Sequence, residues 1–296
     1  MGRAASRAVL VSAPLAADAS PGELLEIAKR QAVTAGALLL EIFRDGDEHE
    51  VTSKSTPTDL VSEADRLAER VIRERLAELR PQDGFLGEES GAGEAGSSGL
   101  RWVVDPLDGT VNFLFGIPQW CVSIAVQDER GSLAGAIYDP VRGDLYSAVR
   151  GGAPTVEVWV EPSPVYGGPP PMRETRTLSA SRCEELSTAM LATGFAYDAR
   201  VRAAQAQVIA RAIPRVRDIR RFGSAALDLA WTAAGRYDAY FERTVKPWDI
   251  AAGTLLCEAA GLRVVELPVH HDLPWGILVA PPALCEPLLE LVGGPA

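Results

Sequence analysis

A short apolar run, Trp102-Val103-Val104, passes directly into Asp105-Pro106-Leu107-Asp108-Gly109-Thr110, and this junction constrains the fold more than any other part of the chain. Three bulky apolar residues in a row read as a buried strand. Asp105 then stands where the strand ends, and Pro106 forces a turn. Gly109 permits the backbone angles that bring Asp108 back beside Asp105. Both carboxylates can share one centre, with the Leu107 carbonyl between them. Asp-x-x-Asp-Gly-Thr also suits plain turns and caps. Its placement against an apolar strand decides the reading, because buried carboxylates without counter-charge are costly. An acidic pocket here implies bound cations or shifted pKa values. Hard cations such as Mg2+ take oxygen ligands of this kind.

Three further segments set acids beside turn residues: Asp59 to Asp65, Gly87-Glu88-Glu89-Ser90, and Trp248-Asp249. Asp249 follows Trp248 at a loop-to-helix boundary. It can cap that helix or be presented by the helix N-terminus to the same centre.

The formal net charge of −11 argues against broad affinity for nucleic acid or anionic membranes. It leaves an anionic substrate open, because locally bound cations reverse the sign of a site. Cys121, Cys183, Cys257 and Cys285 are far apart, which reads as four buried thiols in a reducing cytoplasm. His49, His270 and His271 lie away from the acidic segments, so a zinc site or a Ser-His pair is not expected. No stretch reaches the length of a membrane span.

Residues 1–20 read as a disordered tail that only imitates a signal peptide, with Met1-Gly2 and Ser6 fitting a loose myristoylation pattern. From Pro21, the residues Leu24, Ile27, Ala28, Gln31, Ala35, Leu38, Leu39 and Ile42 form one helical face that ends near Arg44-Asp45-Gly46-Asp47. A second helix starts at Ser62 as N-cap, with Asp65 three positions on. It buries Leu67, Val71, Ile72, Leu76 and Leu79 and stops at Pro81. Short strands follow at 85–86, 102–104, 122–126, 133–138 and 145–149, an antiparallel meander by pattern. The Pro- and Gly-rich stretch 161–177 reads as a loop between an N-terminal α+β lobe (21–160) and a C-terminal lobe (178–296). The second half alternates strand and helix, which argues an α/β layered lobe.

Four ordered blocks carry a family resemblance: Lys54-Ser55-Thr56-Pro57-Thr58-Asp59 to Asp65, Gly87-Glu88-Glu89-Ser90, Trp102 to Phe113, and Lys246-Pro247-Trp248-Asp249-Ile250-Ala251-Ala252-Gly253. On these blocks the chain resembles the inositol monophosphatase family of lithium-sensitive, Mg2+-dependent phosphatases, from roughly Pro21 to Leu291. The resemblance implies a layered αβαβα sandwich of the inositol monophosphatase and fructose-1,6-bisphosphatase type, an α/β (α+β) fold.

It also implies roles. Glu88, Asp105 and the Leu107 carbonyl would hold one metal, and Asp105, Asp108 and Asp249 a second, with Glu88 and water taking a weaker third. Asp65 and Thr110 would orient and activate the attacking water. The Gly109 and Thr110 amides would hold phosphate oxygens, and Asp108, Gly223, Ser224, Ala225 and Glu242 would border the substrate. The implied chemistry is attack of metal-activated water on a polyol phosphate such as myo-inositol monophosphate. Two to three Mg2+ ions would serve each site, with Mn2+ as a substitute and Li+ and Ca2+ as inhibitors. A cytoplasmic homodimer follows from the same resemblance.

Alternatives within the family are a 3′-phosphoadenosine 5′-phosphate nucleotidase, a fructose-1,6-bisphosphatase and a histidinol-phosphate phosphatase. Val111-Asn112-Phe113 and Ala192-Thr193-Gly194-Phe195 look most like the bacterial inositol monophosphatases. A non-enzymatic alternative is a regulatory partner of the transcription machinery. The chain departs from the family pattern after Gly151-Gly152-Ala153, where the expected Asn-Gly hairpin is missing, and around His270-His271, where a hairpin is shortened. Gly91 to Gly96 matches G-x-G-x-x-G but is not framed by a strand and a helix, so it reads as a flexible loop.

Overall fold

The structure, a computed structural model, describes residues 19–45, 51–53, 60–91, 93, 95–160 and 172–294. Helix α1 (Pro21–Asp45) begins at a reciprocal cap. The Ser20 amide donates to the Glu23 carboxylate at 2.8 Å, and the Glu23 amide donates to Ser20 Oγ at 3.3 Å. Ser20 therefore belongs to the helix rather than to the expected tail, whose residues 1–18 lie outside those described. Leu24, Ile27, Ala28, Gln31, Ala35 and Leu39 are buried as expected, while Leu38 and Ile42 sit at the margin of the face.

The chain then forms a short antiparallel pair, β1 (Val51–Ser53) and β2 (Leu60–Ser62), whose connection, including Lys54 and Asp59, falls outside the described residues. Helix α2 (Glu63–Leu79) buries Ala64, Ala68, Ile72, Leu76 and Leu79. Its buried face is turned from the expected one. Asp65 and Glu69 lie on it, and Leu67 and Val71 are only half-buried.

A seven-stranded sheet follows: β3 (Gly84–Gly87), β4 (Arg101–Asp108), β5 (Cys121–Asp128), β6 (Gly131–Asp139), β7 (Asp144–Val149), β8 (Thr155–Val160) and β9 (Met172–Thr177), adjacent in that order. From β4 onward it is the expected meander. The first strand is a correction, because β3 pairs with β4 in parallel. A parallel neighbour needs a long return connection, and residues 88–100 supply it, with no helix among the described residues. The G-x-G-x-x-G match falls inside this strand-to-strand connection.

The loop expected over 161–177 is also corrected, since its last six residues are β9, while residues 161–171 lie outside those described. Glycine at 151, with φ +77°, lets β7 and β8 close as a hairpin without the Asn-Gly pair.

The second sheet runs β11-β10-β12-β14-β13. It contains β10 (Met190–Thr193), β11 (Asp218–Arg220), β12 (Ala239–Arg243), β13 (Arg263–Leu267) and β14 (Gly276–Ala280). Strands β10, β11 and β12 are parallel, and β14 is antiparallel to both its neighbours.

Three apolar cores glue five layers. Helices α1 and α2 cover one face of the first sheet. Helices α5 (Ala225–Ala233) and α6 (Pro247–Ala259) fill the space between the sheets, and α4 (Ala199–Ala212) and α7 (Pro282–Val292) cover the far face of the second. The layering is αβαβα. Close approach of the central layer depends on missing side chains. A Cβ on Gly253 would lie 2.6 Å from Leu229 of α5, and one on Gly135 would lie 3.1 Å from Ala252 of α6. This packing fixes the starts of α5 and α6 beside the end of β4.

Candidate active site

Strand β4 does not end at Asp105. It continues through Asp108, and its register against β5 shifts there: Asp105 opposes Ser123, whereas Asp108 opposes Cys121. Three steps on β4 match two on β5, which is a β-bulge with one extra residue. Pro106 sits in the bulge, where its missing N–H breaks no ladder bond. The expected turn is thus a bulge, and its effect is the one anticipated. Asp105, Leu107 and Asp108 all reach one cleft of about 560 Å3, walled also by Glu88, Gly109, Thr110, Gly223, Ala225, Glu242 and Asp249.

Gly109 adopts φ +100°, and a Cβ there would lie 2.9 Å from the Gln119 carbonyl, so no other residue fits without strain. Helix α3 (Thr110–Leu114) starts at once. Its first residue donates its hydroxyl toward Asp65 Oδ2 and the Leu107 carbonyl, each at 3.1 Å. Asp65 is fully buried at the start of α2 and lies behind the cleft wall, reaching it through Thr110. Oxygens of Asp65, Glu88 and Glu89 come within 4.8 Å of one another, a grouping able to hold a metal ion.

Asp108 is bound to the opposite side. It accepts the Ala226 amide at 2.7 Å, the Ala225 amide at 3.2 Å and the Ser224 hydroxyl. Ser224 itself is the N-cap of α5 and 1% exposed, so it supports Asp108 and does not wall the cleft as expected of a substrate contact. Asp249 is the third residue of α6 and accepts the Lys246 amide at 2.6 Å. It serves the helix and faces the cleft at once.

These acids strain one another. Burial, and then Glu88, Asp108, Asp249 and Asp65, hold the Asp105 carboxyl well above the usual range. Burial and the charges of Asp108 and Glu88 do the same to Asp249. Asp108 is pushed up to about 6 by burial, against the opposing bonds from Ser224, Ala226 and Ala225. Among the described residues no lysine or arginine pairs with Asp105, Asp108 or Asp249. Oxygen donors crowded without counter-charge fit a hard divalent cation, which would supply that charge.

Glu242, on β12, walls the cleft farther along. Burial pushes its carboxyl up to about 7, opposed by the Tyr240 hydroxyl, which donates at 2.8 Å, and by Arg221. Gly194 makes room for it, because a Cβ there would lie 2.0 Å from Glu242 Oε1.

Several residues here escape a reading of the sequence alone. Glu69 accepts the Glu89 amide at 2.7 Å and holds the Gly87–Ser90 turn, and a Cβ at Gly87 would strike its carboxylate at 2.3 Å. Glu89 joins the metal-competent grouping, and Arg221 walls the cleft. Their signals are weak: Glu69 is a helical acid four residues after Asp65, and Arg221 one arginine in a basic stretch. Three of the four thiols are buried, but Cys183 is half-buried, a correction to the expectation for it.

Fold and site define a layered αβαβα protein with an acidic central cleft, at whose wall Asp65, Glu88 and Glu89 form a grouping able to hold a metal ion. The family model described as the inositol monophosphatase family matches residues 20–286. Inositol-1-monophosphatase SuhB of Mycobacterium tuberculosis is 41% identical over 287 residues, covering 92% of this chain and 94% of that one. A protein of Pasteurella multocida described as Nus factor SuhB is 38% identical over 87% of this chain and 90% of its own length. The crystal structure of extragenic suppressor protein suhB from Bartonella henselae superposes with a TM-score of 0.77 at 32% identity, covering 91% of this chain and 98% of that one. The chain belongs to the inositol monophosphatase family, and membership implies a phosphatase.

Proposed function

We propose that the protein is a Mg2+-dependent phosphomonoesterase that hydrolyses myo-inositol monophosphate or a similar polyol phosphate. The observation that carries this reading is the pairing of Asp65 with Thr110 beside a crowd of buried, uncompensated carboxylates. Glu88, Asp105, the Leu107 carbonyl, Asp108 and Asp249 would hold the metal. Bound Mg2+ would neutralise the phosphoryl oxygens and make water more acidic.

The remaining work falls to the chain itself. The Thr110 hydroxyl oxygen accepts a proton from the attacking water as it passes its own proton to Asp65 Oδ2, so Asp65 acts as the base through Thr110. The Gly109 and Thr110 amides receive phosphate oxygens at the start of α3. Glu242 accepts hydroxyl hydrogens of the polyol, with Gly223 and Ala225 lining its approach. No covalent nucleophile is required.

The test is phosphate release from a panel of phosphomonoesters, including inositol, fructose, nucleotide and histidinol phosphates, with Mg2+ and with Mn2+. Inositol phosphate should turn over, and added Li+ or Ca2+ should inhibit. Release from no member of the panel with either metal would overturn the reading.

A second reading, a partner of the transcription machinery, is favoured by the relative described as Nus factor SuhB. It would win if Asp105→Asn abolished phosphate release but left the cellular phenotype intact. We also infer a homodimer in a reducing cytoplasm. Phe115, Ile117 and Phe222 are exposed, and Asn112 ties their loops together by donating to the Gln119 and Phe222 carbonyls at 2.7 Å. Light scattering tests this, and a monomer at micromolar concentration would refute it. Among the described residues no helix is long and apolar enough to cross a membrane.

A further inference from the structure

The cleft wall is acidic along most of its length, and its two cations among the described residues are Lys246 and Arg221. Lys246 stands at the start of α6, beside Asp249. Arg221 stands in the connection from β11 to α5, beside Phe195 and away from the metal ligands in the chain.

The Phe195 ring braces the Arg221 guanidinium, and Gly223 leaves room for it. Its carbon lies 5.7 Å from the centre of the Phe195 ring, a cation–π distance. Its Nη1 packs over Gly223, where a Cβ would come within 2.6 Å of it. Gly223 has φ +86°, a backbone conformation that favours glycine.

Among the described residues the guanidinium has no ion-pair or hydrogen-bond partner. Glu242 and Asp228 both feel its charge, yet among the described residues it forms no ion pair or hydrogen bond with either. The Glu242 carboxylate is already engaged by Tyr240. Arginine offers five donors in a planar fork suited to phosphate or carboxylate. Here the fork is exposed, braced by an aromatic ring, and set in a cleft large enough for a small metabolite.

We propose that Arg221 is a specificity-determining residue that binds a second anionic group of the substrate, distant from the phosphate handled by the acidic cluster. The inference rests on the phosphatase reading and deepens it. The favoured substrates are phosphomonoesters that carry another phosphate or a carboxylate. In a cleft and a chain both negative overall, such a substrate would be repelled without a local cation. Arg221 supplies that cation from the connection between β11 and α5.

The test compares matched pairs with Mg2+ present: fructose 1-phosphate against fructose 1,6-bisphosphate, and glucose 6-phosphate against 6-phosphogluconate. The quantity read is the ratio of kcat/KM for the doubly and singly anionic members, in the wild type, Arg221→Gln and Arg221→Lys. The wild type should favour the doubly anionic member, and Arg221→Gln should reduce that ratio by about 10- to 100-fold, mainly through KM, as expected for a lost charge-assisted bond. Arg221→Lys should keep part of it. The pair whose ratio collapses tells whether phosphate or carboxylate is recognised.

Calorimetric titration of the same compounds in an Asp65→Asn background reads binding without relying on turnover. If no compound is hydrolysed but the binding ratio still depends on Arg221, the phosphatase reading fails and this one stands. If hydrolysis proceeds and neither ratio changes in Arg221→Gln, this inference is overturned alone.

Discussion

The hydroxyl of Thr110 lies 3.1 Å from Asp65 Oδ2, joining the first residue of α3 to the start of a helix 45 positions upstream. The contact is buried on both sides. Asp65 is thereby tied into the site without lining it. A general base contributes roughly 10²- to 10⁴-fold to rate. Asp65→Asn should therefore lower kcat by about that factor with KM nearly unchanged, whereas Thr110→Ser should keep most activity. Steady-state phosphate release measures both, and a loss of less than about tenfold in Asp65→Asn would remove it from the base role.

The crowded carboxylates make the metal-free protein sensitive to pH in an unusual direction. Asp105, Asp108 and Asp249 all have raised pKa values in the folded state, so the folded chain binds more protons than the unfolded one. Stability then falls as pH rises from the ordinary carboxylate range, near ~4, through about 6, the value for Asp108. In EDTA the melting temperature should be higher at pH 5 than at pH 7.5. Saturating Mg2+ should erase that difference by stabilising the folded state at neutral pH. Equal melting temperatures in EDTA would show that the acids are not strained.

Glu242 is accommodated only because residue 194 has no side chain. Gly194→Ala should displace its carboxylate and raise KM for a polyol phosphate by about the same factor as Glu242→Gln. A lost hydrogen bond to a charged group corresponds to roughly 10-fold or more. A parallel rise in the two variants supports hydroxyl recognition by Glu242. A normal KM in Glu242→Gln would assign it a structural part instead.

Arg243, the neighbour of Glu242 on β12, points into the outer core and is 3% exposed. It donates to the carbonyls of Pro268 at 2.9 Å, Pro274 at 2.7 Å and Gly293 at 2.6 Å, holding the β13–β14 connection and the end of α7. Arg243→Ala leaves three carbonyls without this donor and should cost about 2–4 kcal/mol. Denaturant unfolding reads this cost directly, and a change below about 1 kcal/mol would mean that water replaces the arginine.

Most of the acidic site is legible in the sequence because its chemistry is local. Asp105, Leu107 and Asp108 lie within one bulge, Thr110 starts the helix two residues on, and only Gly109 can join such a strand to α3. The apolar face of α1 is legible for the same reason, as a period of 3.6 written in adjacent turns. Strand β9 is not, because Arg173 to Thr177 are exposed or only half-buried at the sheet edge and carry no apolar alternation. The parallel sense of β3 is set by its path across β4 rather than by its residues. Glu69, Glu89 and Arg221 gain meaning only when distant elements meet. Ser224 has its role through Asp108, a contact across 116 positions.

Phosphate release from myo-inositol 1-phosphate, titrated with Mg2+ in the wild type and in Asp105→Asn, tests the metal-dependent reading most directly. Expected is saturable dependence on Mg2+ in the wild type, no release in EDTA, and a loss of about 10³-fold or more in Asp105→Asn, with its circular dichroism spectrum unchanged. Release that persists in EDTA, or that survives in Asp105→Asn, would contradict it.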